Sequence, residues 1–394
     1  MKRAVSFVPV LLLSILFAAC GAGTPPSQEP TTSQLSNRAL VANQFSSVVN
    51  IMNGDNDTVS TFTVPAGTNP SMIVVSPDKR FSAIFNSFDN TLSIINNAEE
   101  FRLGTVSLGA FSESMAFSPD GNKLYAAVRN AAAVVILTIA ADNTATSTSV
   151  TIPAARRLVV SGNGNRVLVF SDGLDTVSVI DATNSNAITT VAGFDRPTWA
   201  VFSNDNATAW VLNCGPECGG TQASIVALDM GTLTLGTPVP VPAATIGLLS
   251  GSQLWVAGTE PGALCNAGTT FSACGKLTAL NVPALTLATP AGGVDIVDGF
   301  HHAMEMGTNN KLFIASRTCR NLSEGCLSIV NTSNNSVVVS VADGDVTGLA
   351  AIPGRDVVYV AEGGELRIYD TSTSALQSRQ VDFVGHIADV KSID

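Results

Sequence analysis

The chain has 394 residues, with 31 acidic against 20 basic side chains and a formal net charge of −11. That balance, with no cluster of Lys and Arg to offset it, excludes nucleic acid as a partner. Only 13% of the residues are charged while 45% are apolar. The apolar ones fall in strand-length runs, which excludes disorder over most of the length.

Residues 1–19 have the layout of a bacterial export signal. Lys2 and Arg3 form the charged start, Ala4 to Phe17 a short apolar core, and Ala18-Ala19 precede Cys20. Small residues before a cysteine resemble a lipoprotein cleavage box, so lipidation of Cys20 is expected. An ordinary signal peptide cut near Ala22 is the alternative. The apolar run is short for a permanent membrane span, and no other long charge-free run follows. Residues 20–37 then carry the lipidated cysteine and a small, polar, proline-bearing tether. Acyl chains contribute about 0.8 kcal/mol per buried CH₂, so a doubly acylated Cys20 anchors stably. The expected address is the cell envelope: an exported protein on the outer membrane, facing the periplasm or the outside.

From residue 38 to 394 one unit of about 42 residues recurs, a period in the range of propeller repeats. Its clearest copies are SMIVVSPDKRFSAIFNSFDNTLSIINN (71–97) and SMAFSPDGNKLYAAVRNAAAVVILTI (114–139). Each reads as strand, tight turn, second strand, polar loop, third strand and a looser fourth. The turn recurs at Ser76-Pro77-Asp78, Ser118-Pro119-Asp120, Ser161-Gly162-Asn163 and Ser203-Asn204-Asp205, then loosens at Ser250, Gly307 and Pro353. Pro, Asn, Asp and Gly suit such turns, and the Val, Ile, Leu, Phe and Tyr runs between them suit strands. The first unit, from RALVA (38–42), lacks its first strand. The last segment, HIADVKSI (386–393), is a first strand with nothing after it. Pairing the two closes a ring and removes free sheet edges. The predicted fold is all-β: a β-propeller of eight four-stranded antiparallel blades, with seven as the alternative. Asp55-Asn56-Asp57 is a polar hairpin turn, with calcium binding as the weaker alternative.

The run SPDGNKLYAAV, with AVVI after it and DTVSVIDATNSNAITTV (175–191) further on, resembles the YVTN-type β-propeller repeat family over roughly residues 38–394. The resemblance implies the propeller fold and leaves function open. Relatives include surface-layer proteins, lactonase-like enzymes and non-catalytic subunits of periplasmic oxidoreductases. The last four units depart most from the pattern.

Six cysteines besides Cys20 fall in three near pairs, Cys214/Cys218, Cys265/Cys274 and Cys319/Cys326. Each pair sits between a second and a third strand, in three consecutive units. Even count, local pairing and an exported address predict a disulfide within each loop. A zinc half-site at Cys214-Gly-Pro-Glu-Cys218 is the rival reading. Such loops share a face with the connections between blades, so three braced loops would form a raised lip there.

That face also carries the entry of each innermost strand. Aligning the units places Asn69, Glu113, Arg156, Arg196, Thr245, His301, His302, Asp345 and His386 at the channel mouth. Glu113, Arg156, Arg196, His301, His302, Asp345 and His386 are the candidate ligand-binding residues: arginines grip anions, and His with a carboxylate moves protons. No Cys-x-x-Cys-His, Gly-x-Ser-x-Gly, His-Glu-x-x-His or phosphate-loop motif occurs, so no catalytic residue, metal site or cofactor is assigned. The expected function is a membrane-anchored binding or scaffold protein that takes a protein, peptide or glycan on its loop-rich face. A lactonase-like or hydrolytic enzyme at the channel mouth and a structural envelope component are the alternatives.

Overall fold

The computed structural model describes residues 32–260, 274–319, 325–379, 381 and 383–394. The export signal, Cys20, most of the tether and Cys265 lie outside the described residues. The rest is an eight-bladed β-propeller. Helix among the described residues is limited to two short 3₁₀ turns, Arg129–Ala131 and Gly215–Cys218, and none is long and apolar enough to cross a membrane.

Blade 1 joins the two ends of the described chain. Its innermost strand is Ile387–Ser392, and Arg38–Asn43, Val48–Asn53 and Thr58–Pro65 follow outward. The closing pair is antiparallel, with Ala39 opposite Ser392 and Val41 opposite Val390. Ion pairs reinforce it. Arg38 holds Asp394 at 2.6 Å and Glu100 at 3.0 Å. Asp57, at the polar hairpin of blade 1, accepts from the Tyr359 hydroxyl at 2.5 Å and pairs with Arg355 of blade 8.

The other innermost strands are Pro70–Val75, Ser114–Phe117, Ala155–Val160, Pro197–Phe202, Ile246–Ser250, Phe300–Met306 and Val346–Ala351, opening blades 2 to 8 in turn. Two blades depart from the four-strand plan. In blade 6 the outer position is split between Thr286–Leu287 and Val294–Ile296, both pairing with the third strand. In blade 8 it is reduced to single bridges, Leu366 with Val381 and Tyr369 with Leu376.

Among the described residues no blade has a private core. Each of eight apolar clusters draws on two neighbouring blades. One packs Leu40 and Ile51 of blade 1 on Ile73 and Ile84 of blade 2, and another packs Tyr359 and Ile368 of blade 8 on Val41 and Met52 of blade 1. A sheet apolar on both faces is stable only between two others, which is why the ring must close.

The repeated turn has a repeated hydrogen-bond pattern. Ser118 Oγ donates to Asp120 Oδ1 at 2.6 Å and accepts from Lys123 N at 2.9 Å. Ser76 with Asp78 and Phe81, Ser161 with Asn163 and Arg166, and Ser203 with Asp205 and Thr208 repeat it. The serine hydroxyls hold the Asp120 and Asp205 carboxyls below the usual carboxylate range.

Candidate site at the channel mouth

Six innermost strands carry a bulge near their entry. The residues skipped in the pairing are Ser71, Arg156, Thr198, His302, Thr347 and, on the closing strand, Ala388. A bulge re-aims side chains that strict alternation would send to opposite faces. The effect is largest where two consecutive residues are both polar: Arg156-Arg157 in blade 4 and His301-His302 in blade 7.

Arg156 is tied into an ion-pair network across blades 3 and 4. Its Nε donates to Glu113 Oε2 at 2.7 Å and its Nη1 to Asp172 Oδ1 at 3.2 Å. Arg129 shares both carboxylates, at 2.6 Å from Asp172 and 4.0 Å from Glu113. Burial opposes the charge on Arg156, but the two carboxylates outweigh it and hold the guanidinium above its ordinary value.

Arg157 is set differently. It is 8% exposed. Its Nη1 donates to the Thr245 carbonyl at 3.1 Å, and the guanidinium lies 4.7 Å from the ring centre of Phe300, a cation–π contact. Burial first, and then the Arg156 charge, draw its pKa down to about 10. It therefore remains a cation at neutral pH.

The first disulfide loop folds over this point. Cys214 and Cys218 are bonded, with Cα atoms 5.6 Å apart, and the 3₁₀ turn between them carries Glu217. Gly215 has φ +60°, and a Cβ there would meet Ala223 N at 2.2 Å, so only glycine fits. Glu217 Oε2 accepts from Thr245 Oγ1 at 2.7 Å and Thr259 N at 2.8 Å. Burial raises its pKa against those bonds. Arg156, Arg157, Arg196, Glu217, Leu174 and Phe300 are among the residues enclosing a cavity of about 310 Å³. A second cavity, of about 490 Å³, lies at the exit ends of the inner strands, beside Lys79, Glu305 and Lys391.

The remaining predicted mouth residues are dispersed. Arg196, at φ +55°, lines the cavity with its Nε 3.7 Å from Asp175. His301 is sealed, at 1% exposure, with Nε2 at 3.0 Å from the Val297 carbonyl; burial lowers its pKa to about 4. His302 donates from Nε2 to the Val346 carbonyl at 2.7 Å. Burial and then Arg317 lower it to about 3. Both rings are neutral at physiological pH. Asp345 accepts from Thr318 N at 2.6 Å and touches Cys326 Sγ at 3.8 Å, beside the Cys319–Cys326 disulfide. His386 is exposed, its ring 6.5 Å from Phe45. The Asn69 carbonyl accepts from Ser87 N and from its hydroxyl. The structure thus pairs Glu113 with Arg156, places Arg156 and Arg196 on one cavity, ties Thr245 to Arg157 and Glu217, and leaves His301, His302, Asp345 and His386 outside the cavity's lining. Arg157, Glu217 and Phe300 were not singled out as ligand-binding residues in the sequence. The only sequence signals for them were the Arg-Arg doublet and the carboxylate inside a four-residue cysteine spacing.

The two described disulfides are those of an oxidising compartment outside the cytoplasm. The Cys265–Cys274 pairing involves a residue outside the described ones.

No family model matches the chain, and no curated protein sequence matches it. Solved structures do. The chain is similar to the dihydro-heme d1 dehydrogenase NirN in complex with DHE, at TM-score 0.66 and 13% identity, over 93% of this chain and 77% of that one. It is also similar to a putative 6-phosphogluconolactonase from Bacteroides fragilis, at TM-score 0.53 and 14% identity, over 93% of this chain and all of the other. The β-propeller domain of Cps50 (Swd1) from Myceliophteria thermophila gives TM-score 0.54 at 13% identity, over 76% of this chain and 96% of that one. Identities this low define the β-propeller fold, which enzymes and non-enzymes share.

Proposed function

We propose that the protein is an exported binding propeller of the YVTN-repeat type, held to a membrane by a lipid on Cys20, and that it takes a protein, peptide or glycan partner on the face bearing the disulfide loops. One observation carries the reading. The braced loop of blade 5 places Glu217 over a cavity built by three arginines and Phe300. Loops held rigid on a scaffold lose little freedom on binding, which favours recognition.

A photo-reactive side chain placed at Leu174, on the rim of the cavity, tests this in intact membranes. Asn163, in the turn at the opposite end of its blade, is the comparison. Adducts from position 174 alone are expected. Adducts from position 163 alone move the binding surface to the other face. Cys20→Ser is expected to shift the protein from the membrane fraction to the soluble exported fraction; a wild type already soluble removes the anchor.

A further inference from the structure

The mouth contains a buried cation, Arg157, that Glu113 and Glu217 favour from a distance but that no carboxylate among the described residues contacts. A guanidinium has five N–H donors. Among the described residues, Arg157 has one hydrogen-bond acceptor, the Thr245 carbonyl, and no carboxylate in ion-pair contact. The neighbouring arginines are served otherwise: Arg156 by Glu113 and Asp172, Arg196 by Asp175. A buried charge without a contacting partner is unfavourable. Arg157 is more than nine-tenths buried and lines the cavity, so its remaining donors are placed to meet an acceptor that enters from outside.

The cavity also limits what that acceptor is. Phe170, Leu174, Pro197 and Phe300 give it an apolar wall. Its volume, about 310 Å³, is at the lower end of the roughly 300–1,000 Å³ of small-molecule sites. Glu217 and Asp172 line it too, and they oppose a multiply charged phosphate. A single negative charge matches the one unpaired guanidinium, and the planar fork of Arg matches a carboxylate in two parallel bonds.

We propose that this cavity is a binding site for a small organic carboxylate, its charge seated on Arg157 and its apolar body against Phe170, Leu174, Pro197 and Phe300. The proposal deepens the reading of the loop face given above and rests on it for the choice of face only. It requires neither the lipid anchor nor a macromolecular partner.

Titration calorimetry on the full chain in detergent tests it, with 3-phenylpropionate, 3-phenylpropionamide and inorganic phosphate as probes. The carboxylate is expected to bind, and the amide and phosphate to bind at least about tenfold more weakly. Arg157→Gln is expected to lose about tenfold or more. Leu174→Glu changes a rim residue that is 44% exposed, leaves folding intact and adds a repelling charge. It is expected to weaken the carboxylate severalfold, so it decides the matter if Arg157→Gln does not fold. Amide or phosphate binding as tight as the carboxylate overturns the proposal. So does wild-type affinity in Leu174→Glu, or no heat from 3-phenylpropionate at about 10 mM. Carboxylate binding without adducts from position 174 overturns the partner reading alone, and the reverse result overturns this one alone.

Discussion

Blades 2 to 4 and blades 5 to 7 share an inner three-strand plan and differ at the rim and at the mouth. In the first group the outer strands are long: Phe101–Ser107, Ala145–Thr151 and Ala187–Ala192. In the second they shrink to Val239–Pro240, Thr286–Leu287 and Ser336–Val339, while the loops between second and third strands lengthen and acquire cysteines. The outer strands are mostly exposed even where they are long, so eroding them removes little buried surface. The inner strands carry the clusters between blades and cannot be eroded. The mouth is therefore free to vary on the side where the rim has already been reduced; Glu217 lies on that side, and the cavity it covers sits at the boundary, walled by Arg156, Arg157 and Phe170 to Leu174 of blade 4 as well as by residues of blades 5 and 7.

The most severe way to break this contrast is to open the ring. Removing residues 386–394 deletes the innermost strand of blade 1, with Ile387, Val390 and Ile393 buried to 2% exposure or less. At about 1.5–3 kcal/mol per buried side chain, the loss is about 5 kcal/mol or more, and an inner sheet edge is exposed. Loss of a cooperative melting transition is expected. Val338→Ser, on the outer strand of blade 7 at 43% exposure, is expected to stay within about 0.5 kcal/mol. Unchanged melting of the truncated chain would show that closure does not hold the ring.

A second difference is electrostatic. Blade 8, next to the Cys319–Cys326 loop, buries Glu362 completely. Its Oε2 accepts from the Tyr369 hydroxyl at 2.6 Å, Oε1 has no hydrogen-bond partner among the described residues, and a Cβ on Gly325 would lie 2.6 Å from that oxygen. Burial pushes its pKa up to about 7. The folded state therefore binds a proton that the unfolded state, near 4.5, releases. The contribution is fully present below about pH 4.5 and is lost as pH rises to about 7, at most roughly 3 kcal/mol. Glu362→Gln is expected to remove that loss, so its stability relative to wild type should rise across this window in urea titrations. A difference that does not change with pH sinks the assignment.

The architecture was legible in the sequence because a period of alternating strands and Ser-x-Asp turns is a local pattern, and the closing strand HIADVKSI lacked partners of its own. The count of eight followed from that. The site was legible only in part. Aligning the turns placed Arg156 and Arg196 at the mouth, but neighbours across blades are fixed by ring geometry. No local pattern says that Arg156 meets Glu113 and Asp172 while Arg157 meets Thr245 and Phe300. The bulges that separate Arg156 from Arg157, and His301 from His302, depend on pairing partners and leave no mark in the residue types. The cysteine spacing pointed to the braced loops, yet not to the inward placement of Glu217.

Reducing the braces sharpens the comparison at an intermediate scale. The loop-entropy relation gives roughly 2–3 kcal/mol for closures as short as Cys214–Cys218 and Cys319–Cys326. Cys214→Ser with Cys218→Ser is expected to lower stability by about 2 kcal/mol and to speed amide hydrogen exchange at Thr259, whose N–H donates to Glu217. Amides of blades 2 to 4 should be unaffected. Exchange that rises equally in both halves would mean that the bridge supports the whole ring rather than its own loop.

The smallest expected effect lies in the turns. Ser118 satisfies Asp120 and the Lys123 N–H together, whereas Ser250, at the same point of blade 6, has no side-chain hydrogen bond among the described residues. Its turn is a two-residue hairpin, with Ser250 opposite Gln253 and Gly251 at φ +59°, which needs no hydroxyl to hold it. Ser118→Ala is therefore expected to cost about 1 kcal/mol, the net value of a hydrogen bond whose partners are left only partly solvated. Ser250→Ala should cost close to nothing. Denaturation midpoints in urea, at constant slope, measure both. Equal shifts would mean that the hydroxyl is incidental to the repeat. A shift confined to Ser118→Ala would show that the regular blades hold their turns by side chains and blade 6 by backbone alone, which explains how its turn sequence drifted while its inner strands kept their place.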